Sequence, residues 1–403
     1  MTAEERAAAW LCSAEAVRSR AHQFLAEAEA GRLPHLEADP ARLPAAADYV
    51  AAIIRRAYPA LRIPHHARWR HFAAGGPDRW AALAARLGPM DAAETARVRV
   101  DLCVVSVLLD AGAGPGWRYV ENGTGLALGR SEGLAVASLH AFGAGLFSGS
   151  GLAQADAEGL ARMDAAALAG VFQVSENNPV AGLEGRAALL RNLAGALRAR
   201  PDLFGPAARP GGLYDHLMAG QVRAPDVLAA VLDGFGPIWP GRATLGGRNL
   251  GDVWRHPAAT AADASAGFVP FHKLSQWLTY SLLEVFEDAG AAVVDLDGLS
   301  GLPEYRNGGL FLDLEVLALR DPALARQALA PGHEAVVEWR ALTVALLDRI
   351  APLIRDRLGR SAADLPLSRI LEGGTWAAGR AVAAERRLDG GPPLHVVSDG
   401  TVF

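Results

Sequence analysis

Two residues in the segment 267–317 have types and positions that could support chemistry, and the first is Lys273. It is the only lysine among the 39 Lys and Arg residues, so every other Lys-or-Arg position carries Arg. A lysine ammonium is a compact, rotatable point charge, whereas the guanidinium of arginine is a planar fork. Lys273 is therefore a candidate for binding an anionic group. The alternative is an ordinary surface lysine.

The second residue is Glu304, which follows Pro303 and precedes the glycine-rich stretch YRNGG at 305–309. Proline is favoured at the first position of a helix. This predicts that Glu304 lies in a first turn, where unpaired N–H groups and the helix dipole stabilise an ionised carboxylate. A carboxylate beside a glycine-rich turn can approach a ligand closely. The alternative is that Glu304 only caps a helix.

Further polar residues cluster at 65–72, where the sequence HHARWRHF contains His66 and Arg70. Arginine and protonated histidine are strong partners for phosphate, so this cluster could bind an anionic group. The alternative is a turn whose Trp and His side chains pack beneath the first helices. No H-E-x-x-H or similar spacing accompanies these histidines, so a metal site is not predicted.

Two other regions contribute candidates for substrate binding. Arg130 and Glu132 begin a helix of small residues, where they could line a site or form an internal ion pair. An irregular loop further along contains Trp239, Asp252 and Trp254. Long loops without a repeating pattern often carry function, so these three residues are candidates as well.

The elements that must position these residues are mainly helices. Around Lys273 the apolar residues recur at helical spacing, and Lys273 and Gln276 align along the opposite, polar face. Strand signals are few, so the fold class is predicted to be mainly α. We expect one large helical domain, in which a Gly-Ser stretch at 147–151 separates possible subdomains 1–147 and 152–403.

Composition argues against several classes of function. A formal net charge of −5 and an isoelectric point near 6.1 argue against a nucleic-acid polymer as partner. The longest apolar run, at 102–109, is far too short to span a membrane, and the first residues lack a signal-peptide pattern. Cys12 and Cys103 predict neither a disulfide framework nor a thiolate zinc site. We expect a soluble, cytoplasmic protein whose oligomeric state the sequence leaves open.

Several motifs together resemble a known family. They are GLPEYRNGG at 301–309, VPFHKLSQWLTYSLLE at 269–284, GRSEGLAVASL at 129–139 and HHARWRHF at 65–72. The sequence closely resembles, over nearly its whole length, a family catalogued as a domain of unknown function and associated with uracil catabolism by the URC pathway. That pathway converts uracil, through its ribonucleotide, to urea and a three-carbon acid. The resemblance therefore implies a role in pyrimidine breakdown, with ribosylurea-type intermediates.

The second half of the chain is similar, more distantly, to the queuosine 5′-monophosphate N-ribosylhydrolases. Lys273 and Gln276 match their lysine-bearing helix, and Glu304, Tyr305 and Arg306 match their acid–Tyr–Arg trio. The resemblance implies an all-helical, DNA-glycosylase-like fold, a catalytic carboxylate at Glu304 and a phosphate contact at Lys273. The chain departs from that pattern by having Glu for Asp, Gly-Gly for Pro-Gln, and no second basic residue after the lysine.

Taken together, these two resemblances imply one reaction, the hydrolysis of the N-ribosyl bond of ribosylurea or its 5′-phosphate. A carboxylate beside the anomeric carbon stabilises an oxocarbenium-like state and can activate water, which is the role expected of Glu304. The urea leaving group needs a proton or a strong hydrogen bond, which Gln276, Tyr305 or Arg306 could supply. Lys273, with Arg70 or His66, would hold a 5′-phosphate.

Two alternatives to this function stay open. One is an amide C–N hydrolase that acts on a ring-opened pyrimidine, although the sequence shows no metal set or activated Ser or Cys for that chemistry. The other is a non-catalytic helical partner of another pathway enzyme. The leading hypothesis requires a small ribosyl or ribosyl-phosphate substrate and no cofactor.

Overall fold

Helices form most of the protein. The computed structural model describes residues 1–114 and 116–397. In chain order the helices are α1 (Ala3–Leu11), α2 (Ala14–Glu29), α3 (Leu43–Ala57), α4 (Arg68–Phe72), α5 (Arg79–Leu87), α6 (Ala92–Leu108), α7 (Arg130–Gly143), α8 (Ala157–Ala161), α9 (Ala165–Val171), α10 (Leu183–Ala199), α11 (Pro201–Phe204), α12 (Gly212–Leu217), α13 (Ala224–Phe235), α14 (Lys273–Asp288), α15 (Tyr305–Asp313), α16 (Glu334–Leu358), α17 (Leu367–Ile370) and α18 (Trp376–Arg386). A π-helical turn, Leu371–Thr375, hereafter the π turn, joins α17 to α18. Short 3₁₀ helices lie at Pro40–Arg42, Gly236–Ile238, Leu296–Gly298 and Pro322–Arg326.

The strands are short and pair in twos. They are β1 (Leu36–Ala38), β2 (Tyr119–Val120), β3 (Ala127–Leu128), β4 (Gln221–Arg223), β5 (Thr244–Leu245), β6 (Arg248–Asn249), β7 (Val253–Arg255), β8 (Phe268–Pro270), β9 (Ala292–Val294), β10 (Leu317–Leu319), β11 (Ala328–Leu329) and β12 (His395–Val396). Strands β1 and β10, β2 and β3, β5 and β6, and β7 and β8 pair antiparallel. Strands β4 and β9, and β11 and β12, pair parallel. The prediction of a mainly α fold with few short strands is confirmed, while the DNA-glycosylase-like arrangement stays a prediction.

The chain divides into two compact units, each assembled from separate stretches of sequence. The first unit comprises Met1–His66, Gly241–Gln276 and Asp295–Val397. The described part of the second unit comprises Ala67–Pro240, apart from residue 115, and Trp277–Val294. The division falls within α14, after its first turn, and the Gly-Ser stretch at 147–151 lies inside the second unit.

The core of the first unit forms around α16, which packs against α2, α3 and α15, while α15 packs against α18. Glycines allow α15 to approach its neighbours closely. A Cβ added at Gly308 would lie 2.7 Å from both the Trp339 and Thr343 side chains of α16. A Cβ added at Gly379 of α18 would lie 2.1 Å from the Arg306 carbonyl oxygen. The N-terminal end of α15 is therefore held between two helices.

The second unit is built on α6, α7 and α10. Helix α6 packs against α7 and α12, α4 packs against α7, and α10 packs against α8 and α9. The fully buried Arg68 of α4 donates to Asp110 Oδ1 at 2.6 Å and to Ser106 Oγ at 2.7 Å. A buried charge is tolerated only when it is paired and hydrogen-bonded, and these partners meet that condition.

Some features are absent from the described part of the chain. Within residues 1–114 and 116–397, no helix is both long and apolar enough to cross a membrane. The same residues contain no group of three or more His, Cys, Asp and Glu side chains that could hold a metal ion. Cys12 and Cys103 are not joined by a disulfide.

Candidate active site

The Glu304 side chain caps helix α15. Its backbone is extended (φ −119°, ψ 162°), and the helix begins at Tyr305, so Glu304 is the N-cap and not the first-turn residue that Pro303 predicts. One carboxylate oxygen accepts the Arg306 N–H at 2.7 Å, and the other accepts the Asn307 N–H at 2.5 Å. An N-cap side chain satisfies N–H groups that lack a partner within the helix. Both oxygens of the carboxylate are therefore fixed in position.

The surroundings of Glu304 act on its pKa in opposite directions. Burial raises the pKa above its ordinary value, because an apolar environment disfavours the charged form. The hydrogen bonds from Arg306 and Asn307, followed by the charges of Lys273 and His66, act in the lowering direction without cancelling that rise. Glu304 thus combines a fixed carboxylate, a raised pKa and two nearby basic side chains, a combination that is common at functional sites.

Lys273 is the first residue of α14 and is partly exposed. Its backbone N–H donates to Asp252 Oδ2 at 3.0 Å, so Asp252 satisfies an N–H of the first turn of this helix. The ammonium is near enough to Glu304 for its charge to lower the pKa of that carboxyl. The structure therefore brings together the two residues that the sequence singles out.

Asp252 and Arg340 form a buried ion pair beneath this site. Arg340 Nη1 and Nη2 donate to the two Asp252 oxygens at 2.9 and 2.8 Å, and Trp254 Nε1 donates to the same carboxylate at 2.7 Å. Burial acts to raise the pKa of Asp252, but the Arg340 charge and the hydrogen bonds hold it below its ordinary value. Arg340 Nε also approaches the Pro303 carbonyl at 3.4 Å. The pair thus supports both Lys273 and the residue that precedes Glu304.

Gln276 is fully buried, and its hydrogen bonds support the same site. Its Oε1 accepts the Ser300 N–H at 3.0 Å and the Ser300 Oγ–H at 2.9 Å, while its Nε2 donates to the Phe271 carbonyl at 3.1 Å. These bonds join the first turn of α14 to the loop that leads to Pro303. The geometry favours a structural role for Gln276 over contact with a leaving group.

His66 pairs with a carboxylate that the sequence did not indicate. His66 Nδ1 lies 2.7 Å from Glu372 Oε2, and both side chains are largely buried. The backbone N–H of His66 donates to the Ser368 carbonyl at 2.9 Å, and the imidazole ring centroid lies 5.6 Å from that of Trp376. Glu372 belongs to the π turn. The only sequence signal for it is an acidic residue directly before Gly-Gly in an otherwise helical segment.

Asn307 links the π turn to Glu304. Its N–H donates to the Glu304 carboxylate, its Nδ2 donates to the Leu302 carbonyl at 3.3 Å, and its Oδ1 accepts from Thr375 Oγ1 at 2.8 Å. Thr375 is the last residue of the turn that carries Glu372. Asn307 is fully buried, and sequence reasoning missed its linking role because Thr375 is 68 positions away in the chain.

Tyr305 and Arg306 follow the carboxylate on α15. Arg306 is buried, and its Nη1 donates to the Gly390 carbonyl at 2.7 Å. Its guanidinium carbon lies 5.0 Å from the centre of the Tyr305 ring, and Tyr305 is partly exposed. Arg306 therefore anchors the segment after α18, and Glu304 is the member of the trio with the clearest chemical potential.

The remaining candidates lie in the second unit. Arg70 donates to Glu284 Oε2 at 2.6 Å, and both are partly buried. Arg130 is exposed at the start of α7 with φ of +53°, while Glu132 is partly exposed and Trp239 is buried. The hydrogen bonds that hold Glu304, Lys273 and His66, by contrast, all lie within the first unit.

The fold and this site define a mainly helical protein with a fixed, partly buried carboxylate flanked by a lysine and a histidine–carboxylate pair. The chain belongs to the family described as "Protein of unknown function (DUF1688)", which it matches over residues 10–403. Protein urg3 of Schizosaccharomyces pombe is 40% identical over 403 residues, which cover 98% of each chain. Uracil catabolism protein 4 of Lachancea kluyveri is 39% identical over 417 residues, which cover 93% of each. The resemblance to a family of unknown function linked to uracil catabolism is confirmed.

Proposed function

We propose that this protein takes part in uracil catabolism and hydrolyses the N-ribosyl bond of ribosylurea or ribosylurea 5′-phosphate. The name of the Lachancea kluyveri relative supports the pathway. The observation that carries the reaction is the geometry of Glu304, whose two oxygens are fixed by the Arg306 and Asn307 N–H groups at the start of α15.

The reaction passes through a state in which positive charge develops on the anomeric carbon. A preorganised carboxylate beside that carbon stabilises the charge and costs no reorganisation when the bond breaks. Glu304 has this character, because two backbone N–H groups hold it and burial reduces its solvation. The same carboxylate can take a proton from the attacking water.

Lys273 suits a phosphate or another anionic part of the substrate. It is partly exposed at the first position of α14, and its backbone N–H is already satisfied by Asp252. The ammonium carries the positive charge that an anionic group of the substrate would need. A charged group that binds distant from the scissile bond contributes binding energy that helps to orient the ribose.

The test offers ribosylurea and its 5′-phosphate separately to the purified protein and measures urea and free reducing sugar together. We expect both products in equal amounts from the parent and a loss of about 10²–10⁴-fold in Glu304→Gln. Glu176→Gln is the matched control, because Glu176 is exposed in a loop of the second unit. Sugar release that does not depend on Glu304 would contradict the mechanism. Ammonia or a new carboxylate without sugar would favour an amide hydrolase instead.

A further inference from the structure

The proposed reaction requires a proton for the leaving group. Urea nitrogen is a poor leaving group as an anion, so cleavage depends on a positioned acid. Of the groups that the sequence offers, Gln276 has no ionisable proton, and both ends of its amide are used within the buried framework. Arginine is not deprotonated in proteins, and Arg306 anchors Gly390. Tyr305 is the third group, and phenols in general hold their proton more tightly than imidazolium ions do.

The pair His66–Glu372 has the chemistry that this step needs. A carboxylate has only acceptors, so the imidazole donates through Nδ1 across the 2.7 Å contact with Glu372 Oε2. This bond fixes the tautomer and the orientation of the ring, as the carboxylate does in catalytic triads. In the proposed step the ring would therefore give its proton from the other nitrogen, Nε2.

The π turn explains how Glu372 reaches its partner. A Cβ added at Gly374 would lie 2.9 Å from Ile54 of α3. A Cβ added at Gly373 would lie 2.9 Å from Ile63, in the segment that follows α3. The two glycines therefore let this turn lie directly against its neighbours. Single π-helical turns occur often at functional sites, because they redirect a side chain out of the regular helical pattern.

Two hydrogen bonds connect Glu304 with the π turn that carries Glu372. Glu304 accepts from the Asn307 N–H, Asn307 Oδ1 accepts from Thr375 Oγ1, and Thr375 closes the turn that carries Glu372. In addition, a charge on His66 would favour the ionised form of Glu304, in opposition to the larger effect of burial. The contact between Asn307 and Thr375 thus joins the turn that orients His66 to the helix that Glu304 caps.

We infer that His66 is the general acid that protonates the urea leaving group, and that Glu372 is the positioning residue that orients it. This inference rests on the proposed function. His66 is thereby assigned to the leaving group and not to a 5′-phosphate, for which Lys273 remains.

The step conserves atoms and electrons. The bond between C1′ and nitrogen breaks with its electron pair on nitrogen, and that nitrogen takes the proton from protonated His66. The oxygen of a water molecule bonds to C1′, and the water proton passes to Glu304. Urea and ribose, or ribose 5′-phosphate, are released. Exchange with solvent then removes the proton from Glu304 and restores the one on His66.

The test compares two leaving groups in one set of variants. 4-Nitrophenyl riboside releases a phenol acidic enough to leave as an anion, whereas urea needs a proton. For His66→Asn and Glu372→Gln we expect ribosylurea hydrolysis to fall by about 10²–10⁴-fold, while cleavage of the nitrophenyl riboside stays near the parent rate. Retained cleavage of the nitrophenyl riboside also shows that the variant is folded. Glu304→Gln should slow both substrates.

His22→Asn is the matched control, because His22 pairs with Asp348 at 3.0 Å elsewhere in the first unit. It should leave both activities unchanged. As a second measurement, added imidazole should restore ribosylurea hydrolysis in His66→Ala by entering the space of the lost ring. Rescue supports the inference even if the nitrophenyl riboside does not bind.

Other outcomes overturn the inference. Equal slowing of both substrates in His66→Asn, or unchanged hydrolysis of ribosylurea, would show that His66 does not supply the proton. Failure of imidazole to restore His66→Ala would do the same. If the parent cleaves neither ribosylurea nor its phosphate, the proposed function falls and the inference falls with it. Failure of the proposed function is distinguishable from failure of the inference, because it is seen in the parent protein before any variant is compared.

Discussion

The substitution Glu304→Gln is expected to change activity and stability in different ways, and pH separates the two effects. Glutamine keeps an oxygen for one of the two N–H groups that Glu304 caps, but it presents an NH₂ group to the other. Losing part of a helix cap costs about 0.5–2 kcal/mol. This cost does not vary with pH, because neither glutamine nor a backbone N–H titrates in the range of interest.

The buried charge of the parent, in contrast, makes a contribution that varies with pH. Burial raises the pKa of Glu304 above its ordinary value of 4.5, so the folded protein holds this proton more tightly than the unfolded chain. The stabilising contribution of the protonated group is complete below the unfolded-state pKa and is lost as the pH rises through the folded-state pKa. Each pH unit between these two values lowers the free energy of unfolding of the parent by about 1.4 kcal/mol.

The stability of Glu304→Gln relative to the parent should therefore increase from about pH 4.5 upward and then level off. Urea or thermal unfolding of both proteins at a series of pH values measures this difference, with Glu176→Gln at an exposed loop position as the matched control. The parent activity should need the ionised carboxylate, so the acid limb of its kcat/KM profile should lie above the ordinary pKa of a glutamate. A stability difference that is constant with pH would refute the raised pKa of Glu304 and the burial that causes it.

Three further substitutions and one control test the support of the site and its phosphate contact. Gly379→Ala places a Cβ 2.1 Å from the Arg306 carbonyl, so it should destabilise the protein by about 1–3 kcal/mol and reduce activity. Gly195→Ala in α10, where a Cβ would meet nothing within 4 Å, should instead leave activity unchanged and stabilise by up to about 1 kcal/mol; both are read from urea unfolding. Arg340→Met leaves the Asp252 carboxylate buried without its bidentate partner, so the melting temperature should fall with a loss of about 3–5 kcal/mol, and unchanged stability would contradict the ion-pair assignment. Lys273→Met should raise KM for ribosylurea 5′-phosphate much more than for ribosylurea in steady-state kinetics, and an equal effect on both would remove Lys273 from the phosphate contact.

Local patterns in the sequence predicted several parts of the molecule. The helix that begins at Lys273 was predicted from apolar residues at helical spacing. A helix start beside Glu304 was predicted from Pro303, although 305–309 forms the beginning of α15 and not the expected glycine-rich turn. Both signals act over a few residues, where backbone preferences are strong.

The partners that complete the site could not be predicted in this way. His66 and Glu372 are separated by 306 positions, and Asp252 and Arg340 by 88. Such pairs are set by how helices pack and not by local propensity, so a single sequence gives them no periodic signal. The π turn has no signal of its own in the sequence, because Leu371–Thr375 contains no proline and paired glycines only weaken a helical pattern.

The solitary lysine makes the opening of this site measurable by proteolysis. A lysine-specific protease has one cleavage point in the chain, after Lys273, and that peptide bond lies in the first turn of α14. A helical bond does not fit a protease cleft, so each cut records a transient local unfolding of the start of α14. A ligand that binds there should slow the cut. The rate at which the intact chain disappears on a gel can therefore be used to screen for substrates before any product is known.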